Sequence, residues 1–181
     1  MNKKLSIREI TQMAIFTAII AVCAQIAIPL PGGVPMTLQT WAVSLAGIVL
    51  GAKNGSLAVL VYVLLGIAGV PVFANFAGGL GIVAGPTGGF ILTFPLMALI
   101  AGIGNRKKSL VWLFMALVAG TVINFAAGMF YFSFVTSVSL QAAFTTAVLP
   151  FIPSAILRIA LLPAVAKSVR FAMAVRFVEA D

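Results

Sequence analysis

The chain has 181 residues, 62% of them hydrophobic and 8% charged, with 11 Lys and Arg against 3 Asp and Glu, a net charge of +8 and a mean hydropathy of +1.21. That is too little charge to clothe a soluble domain of this size, and it implies a chain solvated by lipid. The absence of His, a single Cys (Cys23), and acids confined to Glu9, Glu179 and Asp181 leave no metal-ligand set, no intrachain disulfide and no proton relay at membrane depth; no Walker-type phosphate loop is present either.

No charge occurs between Glu9 and Lys53, between Lys53 and Arg106, or between Lys108 and Arg158. A crossing helix needs roughly 20 apolar residues, so each gap is long enough for two helices and a turn. Six spans follow, at 7–28, 37–50, 56–69, 86–104, 109–134 and 153–174, forming a single all-α integral membrane domain over 1–181. The first is too long for a signal peptide and lacks a small-residue cleavage site, so it is expected to be a retained helix. It carries Cys23, expected to be a small buried hydrophobe, and Ala14 and Ala18, whose four-residue spacing lets another helix come close. Pro29, Pro31, Gly32 and Gly33 stop it.

Span 2 opens with Gln39, which follows the first loop directly and can reach a pocket there. Gly51-Ala52-Lys53-Asn54-Gly55 predicts a tight turn into span 3. The stretch 70–84 is apolar but rich in glycine, with Pro71, Gly78, Gly79 and Gly81, and is a poor helix. Irregular backbone cannot face lipid with its N–H and C=O groups unpaired. The loops 29–36 and 70–84 are therefore expected to pack on protein or line a cavity, with Asn75 and Phe73, Phe76 and Trp41 available to it.

Pro86 is expected to occupy the first position of span 4, leaving the N–H groups of Thr87, Gly88 and Gly89 free for an anion or a carbonyl oxygen. The competing reading is helix packing through Gly81, Gly85 and Gly89. Asn124 lies mid-way along span 5 and can both donate to and accept from an amide-like ligand, whereas Gln25 and Tyr62 are expected to be interhelical hydrogen-bonders. A polar connector is expected at 136–146 before span 6.

The basic residues fall into islands: Lys3, Lys4 and Arg8; Lys53; Arg106, Lys107 and Lys108; Lys167, Arg170 and Arg176. Each island follows an even number of crossings, which puts both termini in the cytoplasm and points the islands at the anionic lipid surface rather than at nucleic acid. Arg158 belongs to no island. A cation at depth costs about 2.5–3.5 kcal/mol on insertion scales. No acid lies within the spans to neutralise it, so it is expected to meet an anionic ligand rather than snorkel to the interface.

Taken together these motifs resemble the BioY proteins, the biotin-binding S components of energy-coupling factor (ECF) transporters. The matching stretches are Val34-Pro35-Met36-Thr37-Leu38-Gln39-Thr40, Leu45-Ala46-Gly47-Ile48-Val49-Leu50-Gly51, Gly66-Ile67-Ala68-Gly69-Val70-Pro71-Val72-Phe73, Gly85-Pro86-Thr87-Gly88-Gly89-Phe90 and Pro150-Phe151-Ile152-Pro153. The resemblance implies a six-helix substrate-capture subunit of a prokaryotic cell membrane, without catalytic activity or cofactor. It implies biotin as ligand and, as partners, a transmembrane coupling subunit docked on small residues such as Ala14 and Ala18, with two ABC-type ATPases. The expected ligand contacts are Gln39, Phe73, Asn75, Phe76, Gly78, Gly79, Thr87, Gly88, Asn124 and Arg158. The family's last motif usually reads P-F-I-P-G-D-x-x-K; here Ser154 and Ala155 stand for the Gly and Asp, and Arg158 for the Lys. Arg158 is then expected to pair with the biotin carboxylate. An S component for another vitamin, or a membrane scaffold without a small ligand, are the alternatives.

Overall fold

Ser6 starts the first helix. Its hydroxyl accepts from the Glu9 N–H (3.2 Å) and the Glu9 carboxylate accepts from the Ser6 N–H (2.9 Å), a reciprocal cap that satisfies two donors at the helix start. The helix, α1, covers Ile7–Gln25 in a computed structural model that describes residues 5–30, 32–107 and 109–178. Lys3, Lys4, Lys108, Glu179 and Asp181, and the side chains of Arg170 and Arg176, lie outside what it describes. α1 ends before the expected 28 because Ala27–Ile28 (β1) leaves the helix to pair antiparallel with Met36–Thr37 (β2), Ala27 opposite Thr37 and Ile28 opposite Met36.

Helix α2 is assigned over Gln39–Ile67, with only Gly51 outside helical conformation (φ 81°, ψ 171°). In a straight helix, residues 39 and 62 would lie about 34 Å apart at 1.5 Å per residue. Yet Gln39 Nε2 donates to Tyr62 Oη. A Cβ on Gly55 would fall 2.6 Å from Ala46 O and 2.7 Å from Gly47 Cα. The element therefore folds back at Gly51 into two antiparallel arms, 39–50 and 52–67. The expected turn at 51–55 is tighter than its composition predicts: a single glycine breaks the helix, and Lys53 and Asn54 are already helical.

After α2 come a 3₁₀ turn at Ala74–Phe76 and the five-residue α3, Leu80–Ala84, within the glycine-rich stretch. Then follow α4 (Gly88–Arg106), α5 (Leu110–Thr136), α6 (Leu140–Ala147) and α7 (Ile152–Val178). The expected connector at 136–146 is thus largely helical. Ser139 caps α6 by accepting from the Ala142 N–H (3.2 Å), and Ala143 and Ala147 bury one face of it, which outweighs its polar composition. Among the described residues five segments, Ile7–Gln25, Gln39–Ile67, Gly88–Arg106, Leu110–Thr136 and Leu140–Ser168, are long and apolar enough to cross a membrane.

Helix α4 is central, packed between α2 and α5, and α1 lies on α2. Small residues make these crossings close: Gly47 abuts Ala98, Gly102 abuts Ala52, and Gly104 abuts Ala116. Polar contacts mark the two ends. At one, Asn54 Nδ2 donates to Glu9 (3.2 Å), Asn105 Nδ2 donates to Ile48 O (2.7 Å), and Lys107 Nζ sits 3.6 Å from the centre of the Trp112 ring. The other end holds the loops, and the larger apolar cluster, with Val34, Phe73, Val83, Phe90 and Phe94, gathers there.

Candidate functional site

A cavity of about 300 Å³ opens at that end, of a size for a small molecule. Four parts of the chain build it. The strand-loop 33–37 and the start of α2 give Val34, Met36, Gln39 and Thr40; the loop after α2 gives Phe73, Ala74 and Asn75. The α3–α4 junction gives Thr87, Phe90, Ile91 and Phe94, and α5, α7 and the 3₁₀ turn just before α7 supply Asn124, Phe125, Phe151, Ser154, Ala155 and Arg158. Apolar rings dominate the walls: Phe90 and Phe151 stack at 6.3 Å, and Phe73 meets Tyr62 edge-on at 5.6 Å.

The polar groups are few and held. Gln39 is buried; its Oε1 accepts from Thr37 Oγ1 (2.9 Å), its amide donates to Tyr62, and Tyr62 donates on to Val72 O (3.0 Å). Asn124 is buried as well, and donates to Phe90 O (2.9 Å) and Thr93 Oγ1 (2.7 Å). Both donations leave from its nitrogen, so its carboxamide oxygen remains an acceptor at the cavity wall. Asn75 is exposed at the rim with φ 58°.

Arg158 is 2% exposed, and so does not snorkel. One terminal nitrogen donates to Thr121 Oγ1 at 2.7 Å, and Nε is buried with no protein partner. The only acid among the described residues is Glu9, engaged with Ser6 and Asn54 at the start of α1. A buried cation with an unpaired donor is costly, and the protein groups around it leave that cost uncompensated.

Of the expected contacts, Gln39, Phe73, Asn75, Thr87, Asn124 and Arg158 line the cavity, and Phe76, Gly78, Gly79 and Gly88 do not. Phe76 is 72% exposed because a left-handed backbone (φ 55°) turns it outward. Gly78 lies flat against the Val70 carbonyl, and Gly79 caps α3 while its N–H donates to Gly66 O (2.7 Å). The expected anion cradle at the start of α4 is also displaced. Pro86 lies before the cap, Thr87 is the cap, and the Gly88 N–H is already used by Gly85 O (3.0 Å). Gly88 and Gly89 also pack closely, against Val83 O and Tyr131. Thr87 faces the cavity with its hydroxyl donating to Ile82 O (3.1 Å).

Of Gln25 and Tyr62, expected to bridge helices, Tyr62 does so by accepting from Gln39 on the other arm of α2, and donates to Val72 O; Gln25 instead bonds its own helix at Ala21 O (2.9 Å) and the loop at Phe73 O (3.1 Å). Trp41 donates weakly to Ser154 Oγ (3.5 Å) and packs in the smaller apolar cluster rather than walling the cavity. Two features escape sequence reasoning. Thr121 has a signal, lying one turn before Asn124 on the same face of α5. The Phe90, Ile91 and Phe94 wall has none, being apolar like every neighbour in its span.

The architecture and the cavity define a class: a multi-pass membrane protein whose helices close around a small-molecule site near one end. The fold matches, with TM-score 0.82 and 91% of each chain covered, a crystal structure described as the S component for biotin from an ECF-type ABC transporter, at 24% identity. The profile of the BioY family matches residues 1–175, and the chain belongs to that family. It is 44% identical to the biotin transporter BioY of Thermotoga maritima over 146 residues, covering 80% of this chain and 85% of the relative. It is 35% identical to the biotin transporter BioY of Rhodobacter capsulatus over 176 residues, covering 90% and 93%.

Proposed function

We propose that this protein captures biotin as the S component of an ECF-type ABC transporter. Family membership supports the ligand, and the single observation that carries the site is Arg158, a buried guanidinium with an unpaired Nε in the wall of an apolar cavity. Biotin presents one carboxylate, a ureido group and an apolar body. Arg158 takes the carboxylate. Asn124 accepts from a ureido N–H, and the exposed carboxamide of Asn75 meets the ligand at the rim. Phe73, Phe90 and Phe151 enclose the thioether ring and tail. Thr87 and Gln39 complete the wall.

The chain forms one membrane domain with six crossings, because the two arms of α2 each cross. Both termini are cytoplasmic, in the cell membrane of a prokaryote, and the cavity opens outward. Ala14 and Ala18 lie on an exposed flank of α1, four residues apart, where a helix of the coupling subunit can approach closely. Two ATPases joined to that subunit supply the energy, and this chain supplies no catalysis.

The test is thermal denaturation of the purified protein with a panel of vitamins. Biotin alone is expected to stabilise it, by about 2.7 kcal/mol at a hundredfold excess over Kd. Arg158→Ala should lose most of that stabilisation. Stabilisation by a different vitamin, or by none, refutes the assignment.

A further inference from the structure

We infer that Thr121 is a positioning residue that orients Arg158 without neutralising it, and that the pocket thereby selects for an anionic end group on its ligand. This rests on the biotin-site reading above and adds the origin of its charge selectivity.

Thr121 does not line the cavity; it stands behind Arg158 on α5, 5% exposed. Its hydroxyl has one proton. That proton goes to Leu117 O at 2.6 Å, so toward Arg158 the oxygen can only accept, and it does so at 2.7 Å. The bond fixes one edge of the guanidinium plane and leaves Nε unpaired. A carboxylate in place of the hydroxyl would fix the same edge but cancel the charge. Thr121 is neutral, so the full positive charge stays at the cavity wall. Among the described residues nothing else cancels it. Residue 155, one turn before Arg158 and at the cavity wall, is an alanine, and Glu9 is occupied in the first turn of α1. An isolated buried cation is unfavourable until an anion arrives. A ligand ending in a carboxylate removes that penalty; the same ligand as an ester leaves it in place.

The experiment is calorimetric titration of biotin and biotin methyl ester into the purified wild type and three variants. Wild type should prefer the acid by at least about thirtyfold. Thr121→Ser keeps the acceptor and should keep the preference. Thr121→Val removes it and should weaken biotin about tenfold, with a smaller loss for the ester. Ala155→Asp places a carboxylate three residues before Arg158, within reach on one helix face, and should reduce the preference to near unity. If Thr121→Val weakens both ligands equally, the residue is structural only. If Ala155→Asp leaves the preference intact, the uncancelled charge is not its source. Either result overturns the inference while biotin binding stands. A wild type that binds neither ligand overturns the biotin reading and this inference together.

Discussion

Gln25 controls the loop that carries Asn75. Its amide nitrogen donates to Ala21 O (2.9 Å) and Phe73 O (3.1 Å), and its oxygen accepts from the Phe76 N–H (2.8 Å). Between those two loop contacts the backbone takes left-handed φ at two successive residues, Asn75 (58°) and Phe76 (55°). Asparagine tolerates that conformation. Phenylalanine does so at a cost, which persists only where the surroundings over-determine the backbone. The determinants are the glutamine and the pairing of the Phe73 N–H with Ala77 O (2.9 Å). Gln25→Ala removes two loop hydrogen bonds, each contributing about 1 kcal/mol. Its melting temperature should fall, and biotin affinity should fall several-fold as Asn75 loses its place. Phe76→Gly removes the strained residue and an exposed ring; it should bind biotin as wild type does and melt no lower. Calorimetry and thermal denaturation check both, and a loss of affinity in Phe76→Gly would return that ring to the site.

At the scale of elements, the hairpin at Gly51 brings Gln39 beside Tyr62 and so completes the Thr37–Gln39–Tyr62–Val72 chain of hydrogen bonds along one wall of the site. Gly51 has φ 81° and ψ 171°, a region open essentially to glycine alone, although there is empty space where a Cβ would stand. Gly51→Ala is therefore expected to cost about 1–3 kcal/mol through the backbone alone, seen as a lower melting temperature; an unchanged one would place the turn in another conformation. Elements of this kind were legible in the sequence where local chemistry marks them. Gly51 breaks α2, and the island at Arg106 and Lys107 ends α4, because glycine and charge act on their own neighbours. Arg158 and Asn124 were legible as candidates for the cavity wall, where both lie, because a polar group at depth needs a partner. What stayed hidden depends on partners distant in sequence. Gln25 meets its loop 48 and 51 residues away, and Arg158 meets Thr121 37 residues away. Gly88 and Gly89 look the same as an anion cradle or as a packing surface until Tyr131 is seen against them. The helix α6 hid behind polar residues because its buried face is only alanine.

Across the whole molecule, the contacts at one end gather Glu9, Asn54, Ile48, Asn105, Lys107 and Trp112, and so bring the start of α1, the tip of the α2 hairpin and the α4–α5 junction to one level. These are the regions that carry Arg8, Lys53, Arg106 and Lys107. Positive residues collect on the cytoplasmic side, and Trp112 beneath Lys107 suits the headgroup boundary. The cavity, with Asn75 and the exposed Phe76, lies at the opposite end. The hairpin decides the crossing number. If α2 crossed once as a straight rod, Lys53 would sit within the hydrocarbon and the later islands would fall on the other side. Cys23 is the only cysteine, so a Cys23→Ala background carries single reporters cleanly. Lys53→Cys, Arg106→Cys and Phe76→Cys all fall at exposed positions. In intact cells a membrane-impermeant maleimide should label Phe76→Cys alone. Lys53→Cys and Arg106→Cys should react only after permeabilisation. A Lys53→Cys protected under both conditions would mean a single crossing by α2, and labelling of Arg106→Cys in intact cells would invert the orientation and turn the cavity toward the cytoplasm, where a capture subunit for uptake has no use for it.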